Sequence, residues 1–269
     1  MTTALTAARP IPSTFAQWWT LTTRLVTPTL RNGEVATAIV ASVVFTAGWY
    51  IPLNHIIGVR SGMSSYAQYL MPLIALQGVS FASVTGALRA ATDARDGVNR
   101  RFQSMPIAPL TPLAARTAAS GYRCAVGAAA ALISGHVIGF RFYRGPVYAA
   151  AFFLLLILIG LVLSFLADLL GNRSKNPQAI AQWLILPQLI FGILSVGIQP
   201  AEQFPGWAQP IIRNQPISQC ILALRALAGD ATPDAGAVTW QVVGPSLAWL
   251  AGVMMIVAPL SFILLRRRS

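Results

Sequence analysis

Charge is scarce in this chain. Of its 269 residues only 10% are charged and 55% are hydrophobic, giving a mean hydropathy of +0.63. A soluble domain carries about a quarter charged residues, so the composition excludes an ordinary soluble protein. The alternation of apolar and polar residues that marks a transmembrane β-barrel is also missing. Lys175 is the one lysine, and no GxxxxGK[ST] occurs, so the chain does not bind a nucleotide in the P-loop manner. There is no CxxC, HExxH or histidine cluster among its two cysteines and two histidines, hence no expected metal site. The first thirty residues contain no uninterrupted apolar run, which predicts that no cleavable signal peptide is present and that the first apolar helix directs insertion.

The seven acids are the most telling shortage. Asp93 and Asp96 fall in a polar loop, Glu202, Asp230 and Asp234 in another, and Glu34 and Asp168 at the ends of apolar runs. None sits in mid-membrane, where an ion- or proton-coupled carrier keeps its titratable carboxylates. His136 is the one ionisable residue within a span and reads as a packing residue. No internal repeat or matched pair of broken helices is visible. A secondary carrier for hydrophobic compounds therefore stands as the alternative reading, and a membrane enzyme of lipid metabolism has no clustered His, Asp or Glu to support it.

What the chain does have is apolar runs of spanning length. Six are expected: about Glu34 to Leu53, Tyr66 to Leu88, Arg123 to Phe140 (weak and alanine-rich), Pro146 to Leu170, Ala179 to Ile198 with a kink at Pro187, and Trp240 to Leu265. The segment Thr14 to Leu30 before them, with Phe15, Trp18, Trp19, Leu21 and Leu25 at helical spacing and Arg24 opposite, predicts an amphipathic helix lying in the membrane interface. The expected fold is an all-α membrane protein of six transmembrane helices. The organisation follows: a cytoplasmic N-terminus over 1–33, the transmembrane domain over 34–265 and a basic tail over 266–269.

The basic residues set the orientation. With the N-terminus inside, 14 of the 19 lie on the cytoplasmic side, and Arg60, Arg141, Arg144, Arg213 and Arg225 lie outside. Both termini are then cytoplasmic in a multi-pass plasma-membrane protein. The net charge of +12 is spread over the ends of apolar runs and does not form one face, so it predicts no nucleic-acid partner. Cys124 and Cys220 fall on opposite sides and are not expected to pair. Arg116 and Arg123, two turns apart, read as a foot snorkelling from the third span.

Two polar segments stand out. The loop within 89–116 contains DARDGVNRRFQSMPIAPLTP at Asp93 to Pro112, a charged stretch followed by an apolar, proline-bearing tip. Asp96, Arg100, Arg101, Phe102, Met105 and Ile107 form an apolar tip in a charged collar, the pattern of a buried hot spot with a polar rim; an anchor on anionic headgroups is the other reading. The outer segment, 199–239, carries Pro200, Pro205, Pro210 and Pro216 with Phe204 and Trp207. It predicts two short re-entrant or interfacial helices, the second N-capped by Ser218. Within the spans Gln77, Ser80, Ser83, Gln182 and Gln188 are the sparse polar residues, read either as a substrate path or as interhelical hydrogen-bonding groups.

The entry helix, the six spans, GVNRRFQSMPIAPLTP between spans two and three, and QFPGWAQPIIRNQPISQCILALRALAGD between spans five and six together resemble ABC-2 type permeases. RNGEV, RAATD, VIGFRFYRG and RNQPISQ make the resemblance closer to the daunorubicin-resistance (DrrB) branch found in actinobacteria, over nearly the whole chain. The resemblance implies a non-catalytic subunit of an exporter, with the loop as its coupling helix. It implies DrrA-like nucleotide-binding subunits that hold ATP and Mg, and a second permease, DrrC-like or a second copy. It also implies an amphiphilic cargo, an anthracycline or, in mycobacteria, the lipid phthiocerol dimycocerosate.

Overall fold

The computed structural model describes residues 13–58, 65–98, 101, 107–108, 110–174, 176–229 and 237–266. Among these the chain is helical, with no strand. The helices are α1 (Thr14–Arg31), α2 (Glu34–Leu53), α3 (Tyr66–Arg95), α4 (Thr111–Val137), α5 (Pro146–Arg173), α6 (Pro177–Ile193), α7 (Gln209–Asn214), α8 (Pro216–Ala228) and α9 (Trp240–Arg266).

Helix α3 is the axis of the bundle. It is buried along almost its whole length and packs on α2, α4, α5, α6 and α8. Its surface explains this, because small residues on every side let neighbours approach. A Cβ on Gly127 of α4 would lie 2.9 Å from the Gly78 carbonyl oxygen of α3. A Cβ on Gly171 of α5 would come within 2.5 Å of the Ala87 oxygen, and one on Gly160 within 2.6 Å of Cys124 Sγ. The first two are backbone-to-backbone crossings that only glycine permits, and the third makes room for the Cys124 side chain. Leu70, Met71, Ile74, Val79, Phe152 and Leu156 fill the remaining space and are almost inaccessible.

Helix α1 begins at Ser13, whose hydroxyl accepts from the Ala16 amide at 3.3 Å, an N-cap. It packs against α4 and α2. Its outward face is apolar, with Phe15 70% and Trp19 56% exposed, while Thr22 and Thr29 are buried. A helix with large aromatics on its exposed face suits an interface between headgroups and acyl chains. The chain then turns at Asn32 and Gly33, the latter with φ 74°, a conformation that glycine adopts without a steric penalty.

Among the described residues four helices are long and apolar enough to cross a bilayer: Ile39–Ile56, Tyr66–Arg95, Pro146–Arg173 and Trp240–Ser261. The two other expected spans look different. Helix α4 starts at Thr111, well before the expected Arg123, and its alanines and two arginines keep it weakly apolar. Helix α6 ends at Ile193, where the chain turns, instead of reaching Ile198. Helix α3 continues past the expected Leu88 to Arg95. At 1.5 Å per residue its 30 residues span about 45 Å, more than the ~30 Å hydrocarbon core, so one end extends beyond the membrane.

The outer segment forms two short helices, as its prolines predicted, but α8 is set into the bundle. Ile221, Ala223 and Leu224 are fully buried, and α8 contacts α3, α5 and α9. Ser218 is not its N-cap; the helix begins at Pro216 after Gln215, and the Ser218 hydroxyl instead accepts from the Val196 amide at 3.2 Å. Both cysteines are buried and unpaired, as expected.

Candidate functional site

Three polar constellations are distributed along α3: at its foot, its middle and its start. At the foot, Asp93 on α3, Arg116 on α4 and Asp168 on α5 converge. Arg116 Nη2 is 3.4 Å from Asp93 Oδ2, and Nη1 is 4.0 Å from Asp168 Oδ2. Their side chains are 17%, 29% and 19% exposed, a half-dry setting in which one guanidinium bridges two carboxylates. Arg123 is 8% exposed, and its Nη2 donates to Ser120 Oγ at 3.0 Å. The expected snorkelling foot is therefore corrected. Both arginines turn inward because α5 brings Asp168, and α4 itself brings Ser120, to satisfy them, which open headgroup water would otherwise have done.

The charged loop leaves α3 beside this foot. Asp96 caps α3, lies 3.3 Å from Arg95 Nε and is exposed. Gly97 has φ 72°, and the Arg101 amide donates to its carbonyl at 3.3 Å. Arg101 is exposed and Ile107 half-buried. Arg100, Phe102 and Met105 lie outside the described residues. The loop is also tied to α1: the Ala108 amide donates to Gln17 Oε1 at 3.2 Å, and Arg89 Nη1 donates to the Leu25 carbonyl at 3.1 Å. The interfacial helix, the loop and the foot of α3 are thus one hydrogen-bonded unit.

In the middle, Gln77, Ser80 and Ser83 of α3 are buried. Gln188 of α6 donates Nε2–H to Gln77 Oε1 at 2.7 Å, and Gly192, one turn on, makes room for the Gln77 amide, since a Cβ there would lie 2.5 Å from Nε2. Ser83 Oγ lies 3.0 Å from the Val79 oxygen and 3.1 Å from the Gly160 oxygen, and Ser164 Oγ donates to it at 3.1 Å. So the structure joins Gln77 to Gln188 and packs Ser83 against α5. Gln182 stands apart on the exposed face of α6.

At the start of α3 is a constellation whose members the sequence did not single out together. Tyr66 and Tyr69 donate their hydroxyls to the Ile198 and Val196 carbonyls at 3.0 and 2.7 Å. Arg225 of α8 lies over the Tyr69 ring, 3.6 Å from its centroid, and its Nη2 donates to the Tyr69 and Val196 oxygens at 3.0 and 3.1 Å. Gln68 donates to the carbonyls of Gly229 (2.6 Å) and Arg141 (2.8 Å) and accepts from the Arg141 amide (3.1 Å). Carbonyls at the ends of α6, α8 and the α4–α5 turn are therefore satisfied by three side chains of one helical turn. The signal available in the sequence was YAQY, polar aromatics flanking a glutamine at the start of an apolar run.

Among the described residues no three His, Cys, Asp or Glu side chains assemble a metal site. What the arrangement does offer is mechanical: a buried rod, a charged loop at one end and a hydrogen-bonded cap at the other. With four of the described helices long and apolar enough to cross a bilayer, the bundle is built as a multi-pass membrane protein. The model of the ABC-2 family transporter proteins matches residues 40–264, and the chain belongs to that family. It is 51% identical over 262 residues to the doxorubicin resistance ABC transporter permease protein DrrB of Mycobacterium tuberculosis, covering 95% of this chain and 91% of that protein. It is 28% identical over 247 residues to the probable doxorubicin resistance permease DrrC of the same organism, covering 90% and 86%. The daunorubicin resistance permease DrrB1 of Streptomyces coeruleorubidus is 28% identical over 206 residues, covering 76% and 70%.

Proposed function

We propose that the chain is the membrane-spanning, non-catalytic subunit of an ATP-driven exporter. Its transmembrane domain covers 34–265, crosses the plasma membrane six times and has both termini in the cytoplasm. ATP and Mg are bound by separate DrrA-like subunits, and a second ABC-2 permease, DrrC-like or another copy, completes the channel. The cargo is amphiphilic, an anthracycline-type drug or a phthiocerol dimycocerosate-like lipid; relatives named for doxorubicin and daunorubicin resistance support the class.

The observation that carries this reading is the ion-paired foot. Asp93, Arg116 and Asp168 bind α3, α4 and α5 to one another where the charged loop departs, so a force on the loop is delivered to three helices together. Closure of the ATPase dimer grips Phe102, Met105 and Ile107, with Asp96, Arg100 and Arg101 at the rim. The loop then tilts α3, and cargo passes along the side of α3 that bears Gln77, Ser80 and Ser83, with Gln182 and Gln188 on α6. The test is Phe102→Asp with Met105→Asp, co-expressed with the cognate ATPase. Loss of co-purification and of ATP-dependent doxorubicin efflux is expected; retention of both overturns the assignment. Transport that persists without the ATPase and collapses with an uncoupler supports the proton-coupled carrier instead.

A further inference from the structure

Helix α4 carries four consecutive alanines, Ala128 to Ala131. Three of these alanines pack inward; the fourth, Ala129, faces outward at a shallow, open groove against α5, lined also by Leu132, Ile133, His136, Val137 and Phe153 and holding ≈ 590 Å³, room for a ligand chain. From Ala129 to Val137 it runs about 12 Å along the helix at 1.5 Å per residue. Its walls are apolar except at one end.

That end is cationic. The α4–α5 turn passes through Gly139, at φ 104°, to Arg141. Nη1 of Arg141 donates to the His136 and Phe140 carbonyls, both at 2.7 Å, which holds the guanidinium beside the groove while the side chain stays exposed. His136 Nδ1 is 2.9 Å from the Leu132 oxygen. A carbonyl only accepts, so Nδ1 carries a proton, and in the tautomer protonated there alone Nε2 is the acceptor. An edge contact with Phe140 and a tilted one with Phe142, 6.0 and 6.1 Å between centroids, hold the ring in place. Arg144 adds a second positive charge in the same turn, and the sequence has no acid between Arg123 and Asp168.

We infer that this groove is a binding site for one acidic glycerophospholipid, of the phosphatidylglycerol type. An acyl chain lies along Ala129, Ile133 and Phe153, the phosphate sits at the outer edge of the Arg141 guanidinium, and a headgroup hydroxyl donates to His136 Nε2. A fixed guanidinium suits a phosphate better than a mobile ammonium does. The apolar channel alone would take any chain, so the selectivity for headgroup resides in Arg141 and His136. The site is independent of the cargo route and of the ATPase.

The test uses the full chain in vesicles of phosphatidylcholine or phosphatidylglycerol with brominated acyl chains. A fluorescent reporter is placed in the groove by Ile133→Trp and, as a control on a bilayer-facing surface elsewhere, by Ile256→Trp, with the parental signal subtracted. Quenching at the groove reporter is expected to favour phosphatidylglycerol by about fivefold, the worth of one basic side chain near an anionic headgroup, with no preference at the control. Arg141→Gln in the groove-reporter background removes the preference, Arg141→Lys keeps part of it, and His136→Phe lowers it. Native mass spectrometry of the parental protein, delipidated and offered equal amounts of the two lipids, should retain phosphatidylglycerol. Equal quenching at both positions, or a preference that survives Arg141→Gln and His136→Phe, overturns the proposal. So does indifferent retention in the mass spectrum.

Discussion

Arg116→Gln removes the one cation that bridges Asp93 and Asp168, leaving two carboxylates facing each other across α3 and α5. Exposed ion pairs are worth about 0–1 kcal/mol, and breaking fully buried ones costs about 3–5 kcal/mol. With side chains 17%, 29% and 19% exposed this network lies between those limits, so a loss of about 2 kcal/mol is expected. Most of that loss reflects the stranded carboxylates, which fixes the rest of the experiment. Asp93→Asn in the Arg116→Gln background should restore about half of it, because the 3.4 Å contact is the shorter of the two, and Asp168→Asn should restore less across its 4.0 Å. The assay is thermal unfolding of the detergent-solubilised chain, where a change of this size amounts to several degrees, arranged as double-mutant cycles. Export should fall further than stability does, since the loop then pushes on α3 alone. The reasoning is refuted if Arg116→Gln leaves unfolding unchanged, or if neither asparagine variant shows coupling above about 0.3 kcal/mol, the usual limit of additivity.

Gly127→Leu should be severe at the α3–α4 crossing, because its Cβ would lie 2.9 Å from the Gly78 oxygen; about 1–3 kcal/mol of overpacking cost is expected, read from unfolding. Gln188→Leu leaves the Gln77 amide buried without its α6 partner. It should cost about 0.6–2 kcal/mol in the membrane, with the Gln77→Leu, Gln188→Leu double variant more stable than the single one. Arg225→Lys keeps the charge but cannot lie over the Tyr69 ring while one amino group reaches two carbonyls; a loss of about 1 kcal/mol and faster proteolysis within the outer segment should follow.

The entry helix was legible in the sequence because its aromatics recur at helical spacing with Arg24 opposite, and α5 and α9 because their apolar runs admit no other reading. Helix α4 was not. Its alanines gave a weak apolar signal, and Arg123, which looked like the beginning of a span, is a buried residue inside a helix that begins at Thr111. Periodicity cannot report that Ser120 and Asp168 supply the inward surroundings of α4's arginines, since those partners come partly from another helix. The same limit applied to Ser218: a serine after Asn-Gln-Pro reads as an N-cap, but a long-range amide, Val196, claims its hydroxyl. Glutamines 77 and 188 were recognisable as exceptions in apolar runs; that they meet, 111 residues apart, depends on Gly192 permitting the approach.

These constellations have one consequence that none has singly. Helix α3 is about 45 Å long, ion-paired to α4 through Asp93 at its foot, hydrogen-bonded to α6 through Gln77 in its middle and to the outer cap through Tyr66, Gln68 and Tyr69 at its start. A helix held at three heights by directional bonds resists sliding and rotation, since either would break the Gln77–Gln188 bond and the tyrosine–carbonyl bonds together. Tilting about the Gly78–Gly127 contact is different. There the two backbones touch at glycine, Gly78 against Gly127, and Gln77 lies beside the contact, where displacement is smallest. A tilt therefore spares the middle bond and concentrates its effect at the two ends. Under the proposed coupling, motion at the foot is carried by the rod to the Arg225–Tyr69 cap at its other end. Packed interfaces of this kind switch between discrete arrangements and do not deform continuously. If the loop is pushed as proposed, the cap is the element expected to open, and weakening it by Arg225→Lys should raise basal leakage of cargo without weakening co-purification with the ATPase.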